Sequence, residues 1–268
     1  MYEQYWGLSE PPFDNSPNPK FFYLSPEHEE ALIRMVYAVK QRKGAAMLTG
    51  EYGCGKTTLS RALIQRLEAD RYEVGLLTNP CWNTVEFLRE ILYQLGVESP
   101  EKSKADLLHR LNEVIYENMR AEKDTVIVID EAQLIEDDGV FEELRLLLNF
   151  QLDDRFLLTL LLIGSPELRD KVRGIRQLDQ RIAIRYHLNM LDYHHTASYI
   201  AHRLKTAGQP RQLFSQEAIR QIFDFARGIP REINNLCDLC LLIGSSKRVT
   251  EVDEKIVTEV IRDTVGVH

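Results

Sequence analysis

The stretch Gly50-Glu51-Tyr52-Gly53-Cys54-Gly55-Lys56-Thr57-Thr58 matches the pattern G-x-x-x-x-G-K-[ST] at every fixed position. Glycine tolerates backbone angles that a side chain forbids, so its three glycines let successive N–H groups turn inward around phosphate oxygens. In such a loop Lys56 reaches the terminal phosphates and the Thr57 hydroxyl holds Mg²⁺. Further along, the apolar run 126–129 ends in Asp130-Glu131. An Asp at the end of a buried strand, in a chain with a phosphate loop, is suited to hold Mg²⁺ directly or through water. The Glu after it is suited to orient and deprotonate a water for in-line attack on a γ-phosphate. Asp130 is therefore read as a metal ligand beside Thr57, and Glu131 as the catalytic base.

These groups need a rigid frame, and the flanking pattern supplies one. The short apolar run 44–49 reads as a buried strand leading into the loop. Residues 59–67 read as a helix, so the loop ends at a helix N-terminus, where the dipole favours anions. Further strands are expected near 74–78, 125–129, 156–163 and 185–188, and helices over 26–42, 84–95, 104–120 and 140–149. Strands alternating with helices imply an α/β fold with a parallel sheet covered on both faces. After residue 189 the pattern is helical throughout, at 194–207, 215–226, 231–245 and 253–265. The division expected is an N-terminal arm (1–26), an α/β nucleotide-binding domain (27–189) and a small all-helical lid (190–268). The arm is rich in proline and aromatics and reads as extended. Its aromatics pack on the core, and its end, at Tyr23 and Leu24, is also placed to wall an adenine pocket.

Composition bounds the partners. Over 268 residues, 44% are hydrophobic and 28% charged, as in ordinary globular proteins, and the formal net charge of −8 argues against a surface that grips nucleic acid all over. The basic stretch 169–185, with Arg169, Lys171, Arg173, Arg176, Arg181 and Arg185, leaves room for a local patch. There are four cysteines. Cys54 lies in the loop, and Cys237 and Cys240 fall on an apolar helical pattern with no second ligand pair near them. They read as packing residues in a reducing cytoplasm. The first residues have neither the basic nor the apolar segment of a secretion signal, and the apolar run 156–163 is too short to span a bilayer.

Taken with Gly228-Ile229-Pro230-Arg231 in the helical tail, the loop and Asp130-Glu131 resemble the AAA+ ATPases, a branch of the P-loop NTPases. More narrowly, the chain is similar to the ExeA/GspA group of secretion ATPases. That likeness covers Tyr5-Trp6-Gly7-Leu8 and Pro12-Phe13 in the arm, and Asp130-Glu131-Ala132-Gln133, Leu162 to Leu168, Leu178 to Ile182 and Gly228 to Asn234 further on. It implies binding and hydrolysis of Mg-ATP, with nucleotide between the α/β domain and the lid. It assigns Ser165 to the sensor-1 position, a departure from the Gln usual there, and Arg231 to sensor 2, beside Pro230. Arg181 falls where relatives carry an arginine finger that reaches a neighbouring subunit, with Arg185 the competing choice. Asn79 resembles a switch residue that bonds the catalytic Glu; as a residue between strand and helix it also suits a cap or turn. The partners implied are ATP, further copies of the chain and an envelope or membrane protein at the inner membrane. The alternative is a DNA-associated regulatory ATPase of the transposition type.

Overall fold

The computed structural model describes residues 2–100 and 103–266, except for the side chain of Val265. In chain order the regular elements are α1 (Glu3–Trp6), α2 (Pro26–Lys40), β1 (Ala45–Gly50), α3 (Lys56–Gln65), β2 (Tyr72–Leu77), α4 (Thr84–Gln94), α5 (Lys104–Arg120), β3 (Asp124–Ile129), α6 (Asp138–Leu147), β4 (Leu158–Gly164), α7 (Glu167–Gly174), α8 (Arg176–Asp179), β5 (Ile182–Leu188), α9 (Tyr193–Thr206), α10 (Gln216–Ala226), α11 (Pro230–Ser246) and α12 (Glu254–Val265). Two single 3₁₀ turns, Pro19–Phe21 and Ala132–Leu134, complete the described set. The chain divides into two compact units.

The α/β unit holds Glu27–Gly50 and Leu59–Leu188. Its sheet runs β2-β3-β4-β1-β5, parallel throughout. β1 and β4 are buried along their whole length, as their Ala, Leu and Ile runs require of strands covered on both faces. At the edge, β5 alternates instead, with Ile182 and Leu188 buried and Ala183, Arg185 and His187 exposed. Register sets the working end of the sheet. Leu162 pairs with Met47 on one side and Ile129 on the other, so Gly50, Ser165 and Asp130 all emerge at the C-terminal edge, the edge where open α/β sheets bind ligands. Phe87, Ile91, Leu111, Ile115, Phe141 and Leu144 from α4, α5 and α6 pack against Ile127 and Leu160 of the strands. Asn83 and Glu86 form a reciprocal cap at the start of α4. Asp137, which caps α6 through Gly139 N, also accepts from Thr84 N and Oγ1 at 3.2 and 3.1 Å, pinning the starts of both helices together.

The helical unit gathers the arm up to Pro26, the loop Glu51–Thr58 and the chain from Asn189 on. The arm is not extended throughout. Its first residues lie upstream of the prolines and form one helical turn, which Gly7 ends at φ +70° with its N–H on Glu3 O. Trp6 is buried and donates to Leu241 O at 2.8 Å. Phe13 meets Phe214 edge-on at 6.1 Å. The buried Arg203 of α9 donates from Nε to Pro12 O and from Nη2 to Asp14 O at 2.6 Å, and its guanidinium lies 4.7 Å from the Phe21 ring centre. Burial lowers its pKa, but the two carbonyls keep its hydrogen-bonding capacity in use. Cys237 and Cys240 face the same core, where burial pushes the Cys240 thiol up to about 12 and leaves both as packing residues. A second difference from the sequence reading lies in the basic stretch 169–185, where no helices were expected. Leu168, Val172 and Leu178 are buried on α7 and α8 beneath the charges. Arg203→Ala would orphan two arm carbonyls and uncover Phe21. It is expected to lower urea stability by about 2–4 kcal/mol, against less than about 0.5 for the exposed Arg262→Ala.

Candidate functional site

In the helical unit the phosphate loop is shaped by two left-handed glycines, Gly53 at φ +79° and Gly55 at φ +98°. Between them Cys54 is buried, and burial raises its thiol pKa. Cys54 N donates to Glu51 O at 3.3 Å, closing the turn, while Tyr52 stands exposed at its crest. Lys56 opens α3 and is buried; its Nζ donates to Glu51 O at 2.9 Å and lies 5.6 Å from the Tyr52 ring centre. The ammonium is thus folded over the loop that the sequence assigns to phosphate. Thr57 and Thr58 follow, both half-buried.

Pro230, buried as the first residue of α11, and Arg231 meet this loop directly. Arg231 N donates to Gly53 O at 3.3 Å. A Cβ on Gly53 would stand 2.8 Å from Arg231 Cβ and 3.0 Å from Ile229 Cγ2. The Arg231 guanidinium itself is exposed and makes no hydrogen bond or ion pair among the described residues. Tyr23 packs on α9, 5.9 Å from the Tyr199 ring and 5.6 Å from the His202 ring, and Leu24 beside it is half-buried. Burial and the neighbouring Arg203 lower the His202 pKa, keeping that imidazole neutral near pH 7.

In the α/β unit Asp130 is buried just past β3, where its Oδ1 accepts from Glu131 N at 3.0 Å. Glu131 has φ +54°, a left-handed conformation that costs a residue with a Cβ about 1–2 kcal/mol. Its carboxylate accepts from Gln133 Nε2 at 2.6 Å. Asn79 is exposed and makes no hydrogen bond to Glu131 among the described residues; the Glu131 carboxylate accepts from Gln133, two residues along the same turn. Ser165, fully buried after β4, has an Oγ with no hydrogen-bond partner among the described residues. Arg185 is tied to Asp179 Oδ1 at 2.7 Å, whereas Arg181 has only a long contact, 3.4 Å, to Arg145 O. In the rest of the basic stretch Lys171 is spent on the carbonyls of Gln133 and Ile135, and Asp170 lies 3.9 and 3.8 Å from Arg169 and Arg173. Gln133 received no role from the sequence; the available signal was its place two residues after Glu131.

The residues fit the groups assigned to them. The loop presents main chain where a Cβ would intrude, and Thr57 and Asp130 offer the hard oxygen donors that Mg²⁺ takes.

Comparison with known proteins gives the family and the fold. A family model described as an AAA domain matches residues 39–172, half of the chain. General secretion pathway protein A of Aeromonas hydrophila is 40% identical over 250 residues, covering 92% of this chain but 45% of that protein. The ORC1-type DNA replication protein 9 of Halobacterium salinarum is 27% identical, over 88% of this chain and 65% of that protein. Among solved structures, the Aeropyrum pernix ORC2 protein in ADPNP–ADP complexes superposes with a TM-score of 0.69 at 18% identity, over 94% of this chain and 71% of that one. That likeness carries the fold alone. Gly53→Ala combines left-handed strain with the clash on Arg231. It is expected to weaken binding of a fluorescent ATP analogue about tenfold or more. Gly96→Ala, equally left-handed at φ +75° but with nothing within 4 Å, is expected to leave affinity unchanged.

Proposed function

The chain belongs to the AAA domain family, and from that premise we propose that it binds Mg-ATP and hydrolyses it to drive assembly or remodelling of a cell-envelope machine of the secretion or pilus type. The observation that carries hydrolysis is Glu131. It is an acid held at the catalytic edge of a parallel sheet in a strained backbone conformation, and such strain concentrates where geometry serves function. The loop amides and Lys56 Nζ would hold the β- and γ-phosphates. Thr57 Oγ1 and the Asp130 carboxylate would hold Mg²⁺, which neutralises phosphate charge when bound. Glu131 would take the proton of the attacking water, and the orphaned Ser165 Oγ would meet the water or a γ-phosphate oxygen. Arg231 would supply a cation that has no hydrogen bond or ion pair among the described residues. Arg181 is favoured over Arg185 as the group offered to a second copy of the chain, because Asp179 already holds Arg185.

The envelope assignment rests on the 40% identity to a general secretion pathway protein, of which this chain spans less than half. No helix among the described residues is long and apolar enough to cross a membrane. The partner proposed for the chain is an envelope protein at the cytoplasmic side of the inner membrane. The competing role, a DNA-associated regulator, would use the basic stretch, yet much of its charge is engaged within α7, α8 and their neighbours.

Lys56→Ala is expected to abolish binding of the ATP analogue. Glu131→Gln is expected to retain binding while phosphate release falls at least about a hundredfold. Turnover by Glu131→Gln at the wild-type rate would overturn hydrolysis through this residue. In the same preparation, ATP-dependent DNA binding that falls steeply with salt would move the role to DNA, whereas absence of binding at low salt supports the envelope reading.

A further inference from the structure

We propose that Gln133 is a positioning residue for Glu131, a two-ended strut that ties the carboxylate to the main chain of Ser165. This rests on the reading of Glu131 as the base and adds the group that aims it. Gln133 is 6% exposed although it carries a polar head, and both ends of that head are occupied. Nε2 donates to Glu131 Oε2 at 2.6 Å, and Oε1 accepts from Ser165 N at 3.1 Å. The orientation of the amide follows from its partners: a main-chain N–H can only donate and a carboxylate can only accept, so oxygen faces Ser165 and nitrogen faces Glu131. The ends of β3 and β4 are thereby joined through one side chain.

Three further features hold the strut. It lies in the 3₁₀ turn Ala132–Leu134, whose neighbourhood is fastened by Lys171 Nζ on Gln133 O at 2.6 Å and Ile135 O at 2.8 Å. Lys171 belongs to α7, which begins two residues after Ser165. The approach of the Gln133 head to β4 also needs a bare Cα: a Cβ on Gly164 would stand 2.4 Å from Gln133 Oε1. No left-handed angle is required at Gly164, so its lack of a side chain serves the passage of this carboxamide. Glu131 cannot relax freely about its own bonds either, since Asp130 Oδ1 holds its N–H at 3.0 Å. Asp130 and Lys171 are the charged groups bonded into this turn.

The strut therefore governs where the carboxylate points, and its loss should be read in turnover and not in nucleotide affinity. Gln133→Leu keeps the bulk and removes both bonds. Gly164→Ala leaves Gln133 in place chemically but displaces its head. Both are expected to lower kcat about 10- to 100-fold with KM for ATP within about threefold of wild type, the scale of a misaimed catalytic group. Gln133→Glu can still accept from Ser165 N but has no N–H to offer the Glu131 carboxylate, and it is expected to lower kcat by a similar factor with KM little changed. A merely structural role would shift melting temperature and leave the kcat of the folded enzyme in place.

The assay is steady-state ATP hydrolysis by the full chain, resolved into kcat and KM for ATP, with Glu131→Gln alongside. If Glu131→Gln is silent while Gln133→Leu and Gly164→Ala keep wild-type kcat, or lose activity through KM alone, the strut is overturned and the base stands. If Glu131→Gln turns over normally, both readings fall together. Should Gln133→Leu fail to fold, Gln133→Glu decides: a wild-type kcat contradicts the strut.

Discussion

At Gly53 the chain has room for a hydrogen atom and nothing larger. Its carbonyl takes the first-turn amide of α11, its Cα faces Arg231 Cβ and Ile229 Cγ2, and its backbone angle is one that glycine alone adopts cheaply. Because the contact is main chain to main chain, the shape of the phosphate loop and the placement of α11 constrain each other. The arm then constrains α11. Asn234, one turn beyond Arg231, accepts from Tyr199 OH at 2.7 Å and donates to Asn15 Oδ1 at 3.0 Å, and Trp6 bonds Leu241 O farther along the same helix. Loop, helix start and arm thus form one continuous hydrogen-bonded assembly inside the helical unit.

The α/β unit solves a different problem, bringing an acid, a hydroxyl and a strand end into fixed register. Parallel pairing does most of it, since Gly50, Ser165 and Asp130 follow strands whose partners run level. What pairing cannot do is orient a side chain beyond the last ladder bond. There the left-handed Glu131, the Asp130 Oδ1 bond and the Gln133 bridge take over. Each is costly or demanding alone, and each makes sense beside the others.

Much of this was legible in the chain because it is local. The loop pattern, the β-branched run into Asp130-Glu131 and the amphipathic periods of α4 and α5 depend on neighbours within a turn or a strand. Relations that cross elements were not. Nothing in 169–185 announces that Asp179 holds Arg185 or that Lys171 caps the turn after β3, so the stretch looked more freely basic than it is. The role of Gln133 needs β3 and β4 side by side and a bare Gly164 between them. Asn79 was placed by resemblance to a switch residue, and no hydrogen bond joins it to Glu131 among the described residues. The helical turn at the head of the arm was hidden by the prolines after it, although its first residues precede all of them.

The central claim is that phosphate is held by a loop built into the helical unit, so that nucleotide is felt through α11 and the arm. Hydrogen–deuterium exchange with and without Mg-ATP tests this most directly. The account predicts slowed exchange in residues 51–58 together with the first turn of α11 and the arm segment around residues 12–15. Slowing confined to 51–58, with α11 and the arm unchanged, would contradict it.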